Sequence, residues 1–109
     1  PNERKRFFDL IVKTKPKRPI ILSGDRHIAE FSKINLDGLS YPLYEFTSSG
    51  LTHTWSIERP EKNEHRVGDL IIAKNFGLLE IEKSRKSFEI KMKIYGSKNE
   101  LLQALKAIF

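Results

Sequence analysis

A strict alternation of apolar and charged residues marks the second half of the chain. From residue 88 to residue 94 every second residue is apolar, the set being Phe88, Ile90, Met92 and Ile94. A period of two is typical of a strand with one buried face. Shorter apolar runs predict strands at 70–73 and 78–82, with turns at 75–77 and 84–87. This half of the chain is therefore predicted to form mainly antiparallel strands.

Helical spacing occurs at both ends of the chain. Phe7, Leu10 and Ile11 are spaced i, i+3, i+4 and predict a helix over 3–13, with Asn2 as its cap. Prolines at positions 16 and 19 end it, because proline lacks an amide donor. Near the other end, Ser-Lys-Asn-Glu at 97–100 has the pattern of a capping box. It predicts a final helix with an apolar side formed by Leu101, Leu102, Leu105, Ile108 and Phe109.

The middle of the chain is predicted to contain a strand, then a strand–loop–strand unit, and then a surface loop. Residues 20–22 (Ile-Ile-Leu) are apolar on both faces, which is typical of a strand in the middle of a covered sheet. Segment 28–34 fits a strand or a short helix equally well, but the Asp-Gly turn that follows and the aromatic run at 41–46 favour strand–loop–strand. The polar stretch 52–68 indicates a surface loop. The predicted class is α/β or α+β, with mixed and antiparallel strands and a helix at each end.

Composition narrows the classes of protein. At 109 residues the chain is one unit with one modest core. It has no cysteine, which excludes a disulfide framework, a thiolate nucleophile and a zinc–thiolate site. Its apolar runs are too short to span a membrane as a helix. Because it begins at Pro1 and enters a charged run at once, we expect a piece cut from a longer protein.

Positive charge is concentrated at the start of the chain. The formal charge is +6, and residues 1–18 alone hold seven basic and two acidic residues. A basic helix can follow phosphates, so one hypothesis is a non-catalytic module that binds an acidic partner such as nucleic acid. No aromatic or glycine-rich nucleic-acid motif accompanies the charge, and Phe7 and Phe8 fall on the side expected to be buried. A solvated helix face is the favoured interpretation.

The segment Ser23-Gly24-Asp25-Arg26-His27 carries the most informative chemistry, because it directly follows an apolar strand. In open α/β sheets, sites collect beyond the carboxyl ends of the strands. If the segment is extended, Asp25 and His27 project to one side. A carboxylate with an imidazole suits a divalent or trivalent metal ion. The alternative is that Asp25 is a turn residue and His27 an ordinary polar neighbour.

Other polar groups are weaker candidates. His53 and His65 lie in or beside the polar loop, where a surface histidine is the default. Thr-Ser-Ser-Gly at 47–50 offers hydroxyl and amide donors to an oxyanion, although an ordinary strand-ending turn explains it more simply. No Gly-x-Ser-x-Gly motif is present, which argues against a serine hydrolase.

Three segments in order, 22–27, 44–53 and 75–81, resemble the closing third of alkaline phosphatase D, the PhoD-like branch of the calcineurin-like metallophosphoesterases. The resemblance covers about residues 1–95. It implies the C-terminal part of a four-layer αββα sandwich that holds metal ions, usually calcium and iron, at strand ends. It also implies an exported (periplasmic or extracellular) enzyme that hydrolyses phosphomonoesters or phosphodiesters through a metal-bound hydroxide.

The resemblance also assigns residues. The superfamily's last metal motif is Gly-His-x-His, and here Gly24-Asp25-Arg26-His27 has aspartate in place of the first histidine, as is usual in the PhoD-like branch. It implies that His27 is a metal ligand and that Asp25 is a ligand or supports one. The residues expected to support the metal loop or lie near phosphate are Ser23, Gly24, Arg26, Ser48, Ser49, His53 and Asn75.

What the family places before these motifs is missing from this chain. The earlier motifs supply further aspartates and an asparagine, and a hard-metal site needs about six ligands. The 109 residues are therefore expected to be inactive alone and need not hold a metal by themselves. Strands at 20–22 and 70–73 would lose sheet neighbours, which leaves edges open for self-association.

Overall fold

The protein is a mixed α/β unit with one helix and two sheets in the part of the chain that the structure describes. The structure is a computed structural model that describes residues 1–54 and 62–109. The elements are α1 (Asn2–Thr14), β1 (Ile20–Ser23), β2 (Ala29–Ile34), β3 (Leu43–Ser48), β4 (Arg66–Ile71), β5 (Asn75–Lys83), β6 (Phe88–Gly96) and β7 (Leu101–Ala107). The α/β class predicted from the sequence is confirmed at this level.

The first sheet has four strands in the order β1-β3-β2-β4. Strand β1 runs parallel to β3, while β2 runs antiparallel to both β3 and β4. Segment 28–34 thus forms a strand, and the strand–loop–strand prediction is confirmed. The predicted Asp-Gly turn is also present: Gly38 has a φ of 88°, which glycine adopts without strain, and Leu39 N–H donates to Leu36 O at 3.0 Å.

The second sheet is an antiparallel meander in the order β5-β6-β7. Ile81 lies opposite Ile90 across the first pair, and Met92 lies opposite Leu105 across the second. The predicted turn at 84–87 joins β5 to β6, where Ser84 N–H donates to Ser87 O at 2.8 Å. Antiparallel strands dominate the second half, as the alternating pattern predicted.

The core lies between the two sheets. The alternating residues of β6 point into it: Ile90, Met92 and Ile94 are buried. They pack in one cluster with apolar residues of β2 and β3, where the Phe31 and Phe46 rings lie 5.1 Å apart. The remaining buried members of the cluster are Ala29, Tyr44 and Ala107. Removing this apolar surface from water is the main favourable term that holds the sheets together.

Strand β1 does not take the central position that its sequence predicts. It pairs with β3 along one edge, and no strand among the described residues pairs with its other edge. Its residue Leu22 is 65% exposed. The apolar run predicts coverage on both faces, but neighbours in space, not composition, determine coverage. An apolar edge strand can pair with another strand, so self-association through this edge stays a prediction.

The first helix lies beside the opposite face of the four-stranded sheet, where Arg4 and Phe8 line a pocket with Ile21 and Glu45. None of its residues is buried, and Phe7 is 42% exposed. The expectation of a buried phenylalanine side is therefore wrong for Phe7. No helix of the described residues is long and apolar enough to cross a membrane.

The boundaries of the helix differ slightly from the prediction. It begins at Asn2 with Pro1 at the cap position and no side-chain capping bond, so the predicted Asn2 cap is wrong. It ends where Lys15 turns left-handed, with φ 46°, and donates its N–H to Ile11 O.

The final helix predicted from the capping-box pattern is wrong. Residues 101–107 form strand β7, which pairs with β6. The turn before it closes through Gly96 N–H, which donates to Glu100 O at 2.9 Å. After the strand, Ile108 N–H donates to the Tyr44 hydroxyl at 3.0 Å. The leucine-rich segment has helical spacing, but pairing with β6 overrides its helical propensity.

Two further boundaries were wrong. Residues 75–77 are not a turn but the start of β5, and residues 66–68 of the predicted loop belong to β4. Residues 55–61 of that loop lie outside the described residues. At Gly77 a Cβ would lie 2.7 Å from Phe46 Cζ. This glycine therefore permits close packing between the sheets instead of forming a turn.

Replacing Ile94 by alanine should destabilise the protein by about 2–5 kcal/mol, because it leaves a cavity in the core between the sheets. Ile94 is 0% exposed, whereas Ile81 on the neighbouring strand is 56% exposed. The matched control Ile81→Ala should cost less than about 1 kcal/mol. Urea unfolding followed by circular dichroism measures both, and equal losses would contradict this assignment of the core.

Candidate functional site

The candidate metal loop, residues 24–27, reverses the chain between two strands. Since β1 is parallel to β3 and β2 is antiparallel to it, β1 and β2 run in opposite directions. The reversal places Asp25 at φ 67° and His27 at φ 56°, both in the left-handed region. The segment is therefore not extended, so the condition under which Asp25 and His27 would project to one side by alternation is not met. Asp25 and Arg26 are exposed, and His27 is half-buried.

The end of β3 fastens both ends of this loop. On the β1 side, Ser23 Oγ and Thr47 Oγ1 share a hydrogen bond of 2.7 Å. On the β2 side, Ser49 N–H donates to Ile28 O at 3.0 Å, and the Ser49 hydroxyl donates to the same oxygen at 3.3 Å. At Gly24 a Cβ would lie 3.4 Å from Ser49 Cβ. The Thr-Ser-Ser-Gly segment is thus hydrogen-bonded to the residues on either side of the candidate metal loop.

Asn75 joins the second sheet to the same place. Its side chain is buried at 2% exposure, and its Oδ1 accepts a hydrogen bond of 2.9 Å from Ser48 Oγ. Its Nδ2 donates to Ala73 O at 2.8 Å, and its backbone N–H donates to Gly50 O at 3.0 Å. A Cβ on Gly50 would collide with this amide. Asn75 therefore connects the start of β5 to the segment that supports the loop.

Two of the three histidines come together. The rings of His27 and His53 have centroids 6.1 Å apart and are tilted by 36°. The Nδ1 atom of His53 forms a hydrogen bond of 2.9 Å with Thr52 Oγ1. His65 belongs to a different surface: it lines the pocket beside α1, and its Nε2 lies 3.6 Å from Glu64 Oε1. The structure thus separates His53 from His65, which the sequence could not distinguish.

The structure brings the imidazoles of His27 and His53 together, and Asp25 lies on the same loop as His27. Among residues 1–54 and 62–109 there is no cluster of three or more His, Cys, Asp or Glu side chains that could hold a metal ion. His27 and His53 form a pair of nitrogen donors, and Asp25 is an exposed carboxylate on the candidate metal loop. These groups suit part of a metal site, which needs additional ligands.

Sequence analysis missed Glu30, a buried carboxylate behind the loop. It is 3% exposed, and its oxygens accept from Arg66 Nε at 2.7 Å and from Arg26 at 3.5 Å. Asn63 Nδ2 lies 3.3 Å from the same carboxylate. A buried charge requires such partners. The available signal was alternation in 28–34, where Glu30 and Ser32 stand on one face on either side of Phe31.

The polar face of the first sheet opens beside the loop into a pocket of about 340 Å³. It contains cationic side chains, Arg26 and Lys62, together with the carboxylates of Glu30 and Glu45. The remaining lining residues are Ser23, Gly24, Thr47 and Asn63. A small polar ligand has room here next to the candidate metal loop.

Comparison with known proteins does not assign this chain to a family. No family model matches the sequence, and neither the curated proteins nor the solved structures compared with it give a match.

Replacing Asn75 by alanine should destabilise the protein by about 1–3 kcal/mol, because Ser48 Oγ and Ala73 O lose their partner. Asn2→Ala is the matched control: Asn2 is exposed and its side chain makes no capping bond, so its loss should stay within about 0.5 kcal/mol. Urea unfolding compares the two variants. An Asn75→Ala protein as stable as the control would show that this amide does not hold the sheets together.

Proposed function

We propose that this chain is the C-terminal portion of a metal-dependent phosphatase or phosphodiesterase of the PhoD-like branch, with Asp25 and His27 as metal ligands. The observation that supports this proposal is that the three segments carrying the resemblance meet in space. These three segments are separated in sequence, yet Ser49 bonds to Ile28, the residue that directly follows the candidate metal loop, and Asn75 bonds to Ser48. A shared site requires that these segments meet around one loop.

Each part of the proposed site has a physical role. The Asp25 carboxylate and the His27 imidazole would hold the cation, for which calcium and iron are the proposed candidates. When bound, the metal ion would activate water and neutralise charge on the phosphate ester. The bonds from Thr47 and Ser49 hold the loop in place, and the Arg26 guanidinium lines the adjacent pocket. The remaining ligands are proposed to come from the part of the enzyme that precedes this chain.

The proposed αββα sandwich needs a layer beyond the described helix and two sheets. The outer face of the three-stranded sheet carries apolar side chains that such a layer would cover. Phe76 and Leu78 are exposed there, and the Phe76 ring stacks on Tyr95 with centroids 5.4 Å apart. Exposed apolar surface of this kind is typical of a face that another element covers.

The test uses a longer polypeptide that includes the residues preceding Pro1, assayed on nitrophenyl phosphate mono- and diesters with added calcium and iron. We expect His27→Ala to lower kcat/KM by about a hundredfold or more, since it removes a metal ligand. His65→Ala should leave kcat/KM unchanged, because His65 lies on a different surface. The 109-residue chain alone should show no hydrolysis.

Two results would contradict the proposal. Full activity in the Asp25→Ala, His27→Ala double variant would remove the site assignment. Absence of hydrolysis by the folded, metal-loaded longer polypeptide on either class of ester would remove the proposed activity.

The exposure of the basic helix α1 is the observation that supports a second candidate function. In this alternative, the helix binds an acidic partner such as nucleic acid. Every residue of α1 is at least partly exposed, so its cations can reach a partner. However, Lys5 is paired with Asp9 at 2.7 Å and Arg6 with Glu3 at 3.0 Å, which reduces the local positive field. A solvated helix face remains the better interpretation.

Binding to duplex and single-stranded DNA separates these alternatives. At about 50 mM salt we expect no binding by fluorescence anisotropy, because Lys5 and Arg6 of the basic helix are already paired with acidic residues of the same helix. Binding that weakens steeply as salt rises, and that Lys13→Glu reduces, would favour the nucleic-acid module instead.

A further inference from the structure

The two rings at the loop have nearly the separation that a shared metal ion requires. With metal–nitrogen bonds of about 2.1 Å, two imidazoles on one ion have centroids about 5–6 Å apart. The centroids of His27 and His53 are 6.1 Å apart, so closing by about 1 Å or less brings them into range. They come from positions 27 and 53, which only the fold brings together.

The chain segments that carry the two histidines are hydrogen-bonded to each other. His27 precedes Ile28, whose carbonyl oxygen accepts from Ser49 N–H and from the Ser49 hydroxyl. His53 follows the same Thr-Ser-Ser-Gly segment by three residues. The two histidines therefore sit on chain segments that are bonded to each other, which limits the entropy lost when an ion joins them.

Thr52 orients the second ring. In the tautomer in which His53 Nδ1–H donates to Thr52 Oγ1 over 2.9 Å, the lone pair of Nε2 is available to a metal ion. Such a hydrogen bond to the far nitrogen is what metal-bound histidines ordinarily have.

We propose that His53 is a second imidazole ligand and that it binds, with His27, one first-row transition-metal ion. This inference rests on the proposed function for its site and adds a ligand to it. Paired imidazoles select ions such as iron, cobalt, nickel or zinc, whereas calcium takes oxygen ligands. The pair is therefore a transition-metal position and not a calcium position.

The test is titration of the 109-residue chain with Co²⁺, followed by NMR of the three histidine rings. We expect the His27 and His53 signals to broaden first and together, while the His65 signals stay sharp. By calorimetry, His53→Ala and His27→Ala should each weaken Co²⁺ binding by about tenfold or more. His65→Ala is the matched control and should bind as the unaltered chain does. Added Ca²⁺ should not displace Co²⁺.

Each contrary result overturns the inference. These results are broadening of His27 without His53, undiminished binding by His53→Ala, no Co²⁺ binding up to about 1 mM, or displacement of Co²⁺ by equimolar Ca²⁺. The wild-type NMR result does not depend on how any variant folds. The outcome is also independent of hydrolysis: the chain can bind Co²⁺ through both rings even if the longer polypeptide cleaves no ester.

Discussion

The buried amide of Asn75 is the interaction on which the candidate site depends. Asn75 is the first residue of β5, in the second sheet, and its side-chain oxygen accepts a hydrogen bond from Ser48 at the end of β3, in the first sheet. Its backbone N–H donates to the oxygen of Gly50, which follows β3. Apolar packing brings the two sheets together, but such packing is non-directional. The amide sets their relative position at one end, because hydrogen bonds require specific distances and angles. That end is where the candidate metal loop lies.

The two faces of the four-stranded sheet have different roles: one is apolar and packs in the core, and the other is polar. One face carries Phe31, Tyr44 and Phe46 into the core. The other carries Glu30 and Thr47, which lie opposite each other across β2 and β3. Because side chains alternate along a strand, a single pair of strands can build a hydrophobic core and a polar site at once. The buried carboxylate of Glu30 forms ion pairs with Arg26 of the loop and Arg66 of β4. The polar face of the sheet is therefore also held together by contacts between different elements.

The sequence predicted the elements that depend on local patterns, and it did not predict the features that depend on contacts between residues far apart in the chain. The β6 strand was predicted because alternation is a local signal, and α1 because its spacing and the prolines that follow are local as well. The prediction of a final helix failed because Leu101–Ala107 has helical spacing but pairs with β6, and no local pattern reports that pairing. The residues of the candidate site were named from motifs, but the proximity of His27 and His53 was not predictable, since no local pattern links residues 26 positions apart.

By itself, the sequence determined the mixed class, the antiparallel second half, the position of the polar loop after β1 and the residue types available for chemistry there. The tertiary structure decided that β1 lies at an edge, that the last segment is a strand, that the loop reverses with left-handed Asp25 and His27, and that Glu30 is buried. The reason is physical. Periodicity reports which side of an element is apolar, whereas strand order, register and loop direction depend on hydrogen bonds between residues far apart in the chain.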